Sequence, residues 1–561
     1  MSTASTKSSN RKKKAMSGTN SRGRMETTAA DNLRVADISE RSWLIGVISI
    51  LLTGGFLRLY DLSLVPLHHD EGVNGNFLVQ LVRDNFYRYN PENYHGPSLY
   101  YFAAIIPWTV KFLFGQQAQN AYGLTTFSIR LVPALFGLGT IWLVLMLRRR
   151  LGTIGTLAAA AFLAVSPGAV YLSRYFIHES LFVFFTLGIV VASLKYYDER
   201  HAIYLILAAV SAALLFATKE TWIISVGVLF IALVSTQISR RLWRILGLDG
   251  KQGKARSASG SAANLSEGIQ ATVDRLGGKI SIAVWSLVAV AVFAAIGVLF
   301  YSSFGTNWQG VSDSLKTFQV WTKTGQTAHV HEWWTYIKWL WEEESPLLVL
   351  GAIGAAIAVL RPGNSLALFC ALWAFGILAA YSLVPYKTPC LTLNIIVPLA
   401  LISGYAFQAI YQYGGKDVMR PISVFAALAI CTSGYQTIVL NFFKYDDDHY
   451  AYVYAHTRRE LLKLVDDIDI VAKQSGTGTD TGITIISPDY WPLPWYFRNY
   501  TKVGYYGHMS ATTEPIIIAS ESQRGEVQAA FGDRYRQINS SFALRPGVEL
   551  LLFVRRDVPG P

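Results

Sequence analysis

Directly after the first apolar run of the chain stands His68-His69-Asp70-Glu71, and farther along the same loop come Tyr94-His95-Gly96-Pro97. Three short turns between apolar segments carry further ionisable groups. These are Arg174, His178 and Glu179; Lys219 and Glu220; and Tyr386 with Lys387 in Pro-Tyr-Lys-Thr-Pro. A carboxylate such as Asp70 or Glu71 can take a proton from a hydroxyl as a general base. Lys219, Lys387 and Arg174 can neutralise a phosphate and stabilise the charge that develops on a phosphate leaving group. An isolated acidic pair is as readily a helix N-cap, and an isolated Lys or Arg at a membrane boundary snorkels. Charge in three turns at one depth is harder to dismiss, because an ionisable group between apolar helices costs up to roughly 3 kcal/mol on insertion scales. The set suits a phosphate-bearing lipid.

The elements that must position these groups are membrane-spanning. The chain has 561 residues, of which 52% are hydrophobic and only 15% charged, too few polar side chains to cover a soluble surface. Apolar runs long enough to cross a bilayer fall at about 42–60, 129–147, 152–172, 180–196, 202–217, 221–238, 280–301, 346–360, 365–384, 390–411 and 421–441, which predicts about eleven transmembrane helices. The stretch 99–114 carries Pro107 and Lys111 and is expected to lie in the outer interface. Were it a span, Arg148, Arg149 and Arg150 would fall outside, against the positive-inside rule. This parity places the N-terminus in the cytoplasm and the charged turns on the extracytoplasmic side.

The formal net charge of +12 follows the same topology. Residues 1–40, a basic tail expected to be disordered, hold +4; Arg148 to Arg150 hold +3; residues 239–279, which include a Gly/Ser/Ala-rich cytoplasmic linker (245–279), hold +5. The remainder is formally neutral, so the basic balance marks attraction to an anionic inner leaflet, not a nucleic-acid footprint. No cleavable signal peptide is expected, since the first apolar run lacks a small-residue cleavage site. The membrane domain is expected over 41–441, with a catalytic outer loop at 61–128 and a second outer loop at 302–345. Residues 442–561 change character: a helical pattern at 450–474 precedes β-like runs at 483–486, 516–518 and 548–554. They predict a small extracytoplasmic α/β domain.

Other chemistry-bearing groups are weaker. His329, His331 and Glu332 lack a further metal ligand, Asp446-Asp447-Asp448 lacks the glycine and terminal Glu of a calcium loop, and Cys370, Cys390 and Cys431 have no ligand spacing. No metal and no cofactor are expected. Trp333, Trp334, Trp339 and Trp341 suit an interfacial belt, and Tyr490, Trp491, Trp495 and Tyr496 suit either sugar stacking or domain packing.

The acidic pair after the first helix resembles the catalytic loop of GT-C-fold glycosyltransferases that use polyprenyl-phosphate sugars, a group that includes protein O-mannosyltransferases and lipid A aminoarabinose transferases. Arg130-Leu-Val-Pro-Ala-Leu resembles their second spanning helix, and the apolar stretch before it their juxtamembrane helix. His-His-Asp-Glu-Gly-Val-Asn-Gly from His68, the segment Arg88 to Tyr101, 385–389 and 490–500 together resemble one subfamily, associated with flippase activity and with archaeal glycosylation pathways. The resemblance implies a membrane glycosyltransferase acting on a polyprenyl-phosphate-linked sugar. Asp70 would be its catalytic base with Glu71 beside it, and His69, His95, Arg174, His178, Glu179, Lys219, Glu220, Tyr386 and Lys387 would bind substrate. Cys390 stands where the subfamily has Trp. The acceptor would be a protein, a lipid or a glycan, with a flippase or another glycosylation-pathway protein as partner. The competing expectation is a non-catalytic flippase-associated protein that moves or presents lipid-linked saccharide. A secondary transporter is disfavoured, because the charge gathers at helix ends.

Overall fold

A backbone surrounded by lipid must satisfy its own polar groups, so long apolar stretches become helices. The computed structural model describes residues 38–93, 95–246, 277–327, 329–361 and 363–561. Most of the expected basic tail and cytoplasmic linker, and Tyr94, lie outside them. In chain order the helices are α1 (Glu40–Leu59), α2 (His69–Asp84), α3 (Ser98–Phe114), α4 (Thr126–Leu145), α5 (Thr153–Val165), α6 (Pro167–Ser173), α7 (Glu179–Glu199), α8 (Ile203–Phe216), α9 (Trp222–Ile245), α10 (Gly278–Tyr301), α11 (Gln309–Thr327), α12 (Thr335–Leu360), α13 (Ser365–Leu383) and α14 (Leu393–Ile438). Among the described residues nine segments are long and apolar enough to cross a membrane, two of them in the α14 region, or ten if α5 and α6 are one broken span. The chain is a polytopic helical integral membrane protein.

The expected eleven spans therefore become nine or ten. The α5–α6 pair bends by 58° where Ser166 caps the second helix and Pro167 opens it, because proline suits a first helical turn but not a helix interior. Helix α8 has only 14 residues and rises about 21 Å, short of a hydrocarbon core of roughly 30 Å. Helix α12 begins at Thr335, well before the apolar run, and carries a break at Glu344 two residues ahead of Pro346. Helix α3 has 17 residues and stays below the length of a candidate span. The segment Pro389–Gly414 is the central helix, 94% of its window buried. Against it Gly155 and Gly404 bring α5 and α14 into backbone contact.

At one end of the bundle Arg148 pairs with Glu40 and covers Trp43, while Arg150 pairs with Asp198. The opposite end carries α2 and the C-terminal domain. There α15 (Glu460–Gln474) and α16 (Arg524–Phe531) flank a mixed sheet of β1 (Ile483–Ile485), β2 (Val503–Tyr505), β3 (Ile516–Ser520), β4 (Tyr535–Arg545) and β5 (Val548–Arg555), ordered β2-β1-β3-β5-β4. Alternation along β3 sends Ile516 and Ile518 toward α15 and Ile517 and Ala519 toward α16. A strand covered on both faces reads as a continuous apolar run, whereas the edge strands β2 and β4 have no such signature.

The C-terminal domain seats on α2 through two glycines. A Cβ at Gly72 would lie 2.5 Å from Pro492 Cβ and 2.7 Å from Pro492 Cα, and one at Gly75 2.7 Å from Trp495 Cε3. The glycines after Asp70-Glu71 and the aromatic segment at 490–496 are thus two halves of one contact. Gly72→Ala is expected to lower stability by about 1–3 kcal/mol through overpacking and to expose the 455–459 connection to protease. Gly227→Ala, where nothing lies within 4 Å, is the matched control in thermal unfolding and limited proteolysis.

Candidate active site

Asp70 sits in the first turn of α2, whose start is fixed from both sides. His68 Nδ1 accepts from Asp70 N at 3.1 Å, and Glu71 Oε2 accepts from His68 N at 2.9 Å, forming a capping box with histidine in the usual Ser/Thr position. The first bond requires an unprotonated Nδ1, which places the imidazole proton on Nε2, 3.3 Å from Tyr454 O. His68 stacks on His456, whose Nδ1 is 2.8 Å from the Tyr175 hydroxyl. His68→Ala is expected to fray the turn carrying Asp70, at a cost of about 1 kcal/mol, and to slow turnover. His68→Asn, which can accept the same bond, is expected to restore it in the same turnover assay.

The two carboxylates of the pair stand in opposite environments. Glu71 is completely buried. Its oxygens accept from Arg130 Nε at 2.7 Å, Arg130 Nη2 at 2.6 Å and Phe176 N at 2.7 Å, besides His68 N. Asp70 projects the other way, its side chain 61% accessible, with protein packed around its base. That enclosure alone raises its pKa; His68, His69, His95 and Lys219 together outweigh it and hold the carboxyl below its ordinary 3.8. Beside it, burial lowers the pKa of His69, against the opposing charge of Asp70.

The turns expected to carry charge meet at this end of the bundle. Lys219 Nζ donates to Glu179 Oε1 at 2.6 Å, and His95 Nδ1 lies 3.0 Å from Glu220 Oε2. Burial opposes the charge on Lys219, but Glu179 and Glu220 outweigh it and raise its pKa. The His178 ring lies 4.9 Å from that of His95, and its Nε2 is 3.0 Å from Gly96 O. Burial, then His95 and Lys219, hold His178 neutral. His95, Lys219, Glu220 and Tyr386 line one narrow cleft with Tyr381 and Leu391. Arg174 stands apart, donating to the carbonyls of Leu57, Tyr60 and Asp61 and covering Phe442.

Lys387 lies on the far side of a short two-stranded wall. Val330 bridges Tyr386 in antiparallel register, with His331 N donating to Pro385 O and Lys387 N to His329 O. Lys387 Nζ donates to the carbonyls of Val384 at 2.6 Å and His331 at 3.3 Å. Two of its three ammonium protons are thus occupied, with no carboxylate in ion-pair contact among the described residues. His329 Nδ1 binds the Tyr454 hydroxyl at 2.8 Å. Among the described residues the group with metal-ligand geometry is Asp447, Asp448 and His449; it is mostly exposed, and Lys444 and His449 already bond Asp447.

Four positions that shape the site and its surroundings escaped the sequence. Arg130 carried a signal, since an arginine in an apolar helix requires a partner, but nothing identified Glu71 as that partner. His68 as a cap and the buried acids Glu343 and Glu344 had none. Glu344 caps the break before α6 through Gly168 N and Ser166, and Glu343 accepts from Ala451 N.

Residues 107–247 match the family described as Dolichyl-phosphate-mannose-protein mannosyltransferase. Comparison with the curated proteins finds no match. Among solved structures the chain is similar to ArnT from Cupriavidus metallidurans bound to undecaprenyl phosphate, at 14% identity and a TM-score of 0.54, over 92% of this chain and 98% of that one. The apo state of the same protein gives 13% identity and a TM-score of 0.53, over 91% and 98%. The apo oligosaccharyltransferase of Archaeoglobus fulgidus gives 13% and 0.49, over 83% and 64%. The likeness to ArnT shows a shared fold across membrane and C-terminal domains.

Proposed function

We propose that the protein is a membrane glycosyltransferase of the GT-C type that moves a sugar from a polyprenyl-phosphate carrier to an acceptor hydroxyl. The observation that carries this reading is Asp70: a water-accessible carboxylate on a rigidly capped turn, held ionised by cations that a phosphate would also seek. The match of residues 107–247 to a mannosyltransferase family and a fold shared with a protein bound to undecaprenyl phosphate supply the donor class.

In the reaction Asp70 accepts the proton of the acceptor hydroxyl as that oxygen attacks the anomeric carbon. The bond from that carbon to the phosphate oxygen breaks, and the electron pair leaves on the polyprenyl phosphate. A single displacement of this kind inverts the anomeric configuration. Lys219 stabilises the departing phosphate, and Lys387 borders the acceptor side of the site. His95 and Tyr386 border the sugar, and neutral His178 holds the His95-Gly96 turn through its bond to Gly96 O. Residues 41–441 form the membrane domain and 442–561 the soluble domain. The N-terminus and the 245–279 linker are cytoplasmic and the site extracytoplasmic.

Cells lacking the protein are expected to lose one sugar from a glycan, glycolipid or glycoprotein and to accumulate the matching polyprenyl-phosphate sugar, read by mass spectrometry. A complete product stranded on the inner leaflet would instead indicate flipping and overturn the reading.

A further inference from the structure

Beyond the cleft lies an open groove of about 1140 Å³, framed by the start of α12, the turn before α14, residues 448–455 and the β4–β5 turn. We propose that this groove is a saccharide-binding site that presents the acceptor hydroxyl to Asp70, so that the acceptor is a glycan or a glycan-bearing molecule. The assignment of an acceptor rests on the transferase reading; the saccharide site itself does not.

The wall formed by 329–331 and 385–387 separates two spaces. Successive residues of an extended chain point to opposite sides, so Val384 and Tyr386 line the narrow cleft with Lys219, while Pro385 and Lys387 line the groove. Asp70 lies near both. Its charge is felt by His95 and Lys219 on the cleft side, and the adjacent His68 meets Tyr454, which lines the groove. A displacement between two substrates needs such a junction: the phosphate belongs on the side of Lys219, which leaves the groove for the nucleophile.

The chemistry of the groove favours sugar rings over the alternatives. Lys338 and Glu342 stand four residues apart on α12 and share one stripe, which Trp334, the residue capping the helix start, precedes by the same interval. Lys338 and Glu342 lie 3.8 Å apart and are about half exposed, so this stripe faces water. Trp341 is also exposed but does not line the groove, as expected of an interfacial belt residue facing lipid. Trp333 and Trp334, 64% and 45% accessible, therefore present indole faces to a wet, charged space. A pyranose matches that surface, with a flat C–H face for the indole and hydroxyls for Glu332, Asp448 and Arg545. A polyprenyl chain requires a dry wall.

The test uses the full chain in lipid nanodiscs, probed on an array of defined neutral and uronic-acid oligosaccharides beside an array of extended peptides. At least one saccharide class is expected to be retained. Trp333→Ala/Trp334→Ala is expected to weaken retention at least tenfold without changing binding of polyprenyl monophosphate, and Trp341→Ala to leave retention unchanged. Near-UV circular dichroism confirms folding of each variant, and Trp334→Tyr is expected to retain partial binding. The proposal is overturned if no saccharide is retained, if peptides are retained instead, if the double variant binds as the parent does, or if it loses polyprenyl monophosphate by the same factor. Trp-dependent retention in a protein that releases no polyprenyl phosphate from a donor sugar sinks the transferase reading and leaves the saccharide site standing.

Discussion

Asp70→Asn is expected to reduce sugar transfer by roughly 10²–10⁴-fold, the range for removal of a general base, while thermal unfolding of the purified protein stays where it was. The substitution keeps the shape of the side chain. The lost carboxylate has its nearest ionisable neighbour in His68 at 3.7 Å, a contact too long and too exposed to carry much stability. The effect falls on kcat, because the proton moves in the transition state and binding of the donor phosphate does not use Asp70. The pH profile makes a second check. The pKa of Asp70 is held below 3.8, so the base is deprotonated above that value and is lost only as pH falls through it. A loss of rate between pH 7 and 5 that survives the correction for folding would belong to a histidine and not to Asp70. The downward shift comes from neighbouring positive charge, and a bound phosphate among those groups cancels part of it. The carboxylate is then more basic in the donor complex than in the free protein, which is where basicity is needed. Transfer by the Asp70→Asn protein within tenfold of the parent would remove Asp70 from the role.

How much of this was legible beforehand depends on whether the cause is local. Helix class and the apolar run of β3 follow from runs of side chains readable along the chain. The meeting of the turns at Lys219, Glu179, His95 and Glu220 was anticipated because charge between apolar helices must find company. The partners were not. Arg174 reads as a phosphate ligand in sequence, yet its guanidinium is occupied by three backbone carbonyls at the end of α1, and a carbonyl partner has no residue signature. Similarly, the apolar run from 346 marks only the later part of α12, because the acids Glu342, Glu343 and Glu344 precede it. Donors at Ser166, Gly168 and Ala451 let the helix begin at Thr335 instead. The bend at Ser166-Pro167 was written in the sequence as a cap followed by proline, but an unbroken hydropathy run masks it.

The same limit applies to the acidic pair, which looks like two equivalent carboxylates and folds as two unlike ones. Arg130→Met is expected to destabilise the protein by about 3–5 kcal/mol, the cost of leaving a buried ion without its partner. The Arg130 guanidinium makes both bonds to Glu71 and also donates to the carbonyls of Leu62 and Val65 at 2.8 Å and Pro66 at 3.2 Å. One side chain thus ties α4, the loop after α1 and the start of α2 into a unit, with Phe176 N attached through Glu71. Glu71→Gln is expected to cost a similar amount, since it strands the arginine. The double variant Glu71→Gln/Arg130→Met should cost clearly less than the sum of the singles, because neither charge is then left alone. Thermal unfolding in detergent measures all three, and protease accessibility of the 61–68 loop reports where the damage begins. Loss of transfer in Glu71→Gln should track the loss of folded protein, whereas in Asp70→Asn it should not. If Glu71→Gln leaves unfolding unchanged and still abolishes transfer, Glu71 acts on substrate. If the two losses move together, Glu71 is the positioning residue through which Arg130 holds Asp70 in place, and only one member of the pair reaches the chemistry.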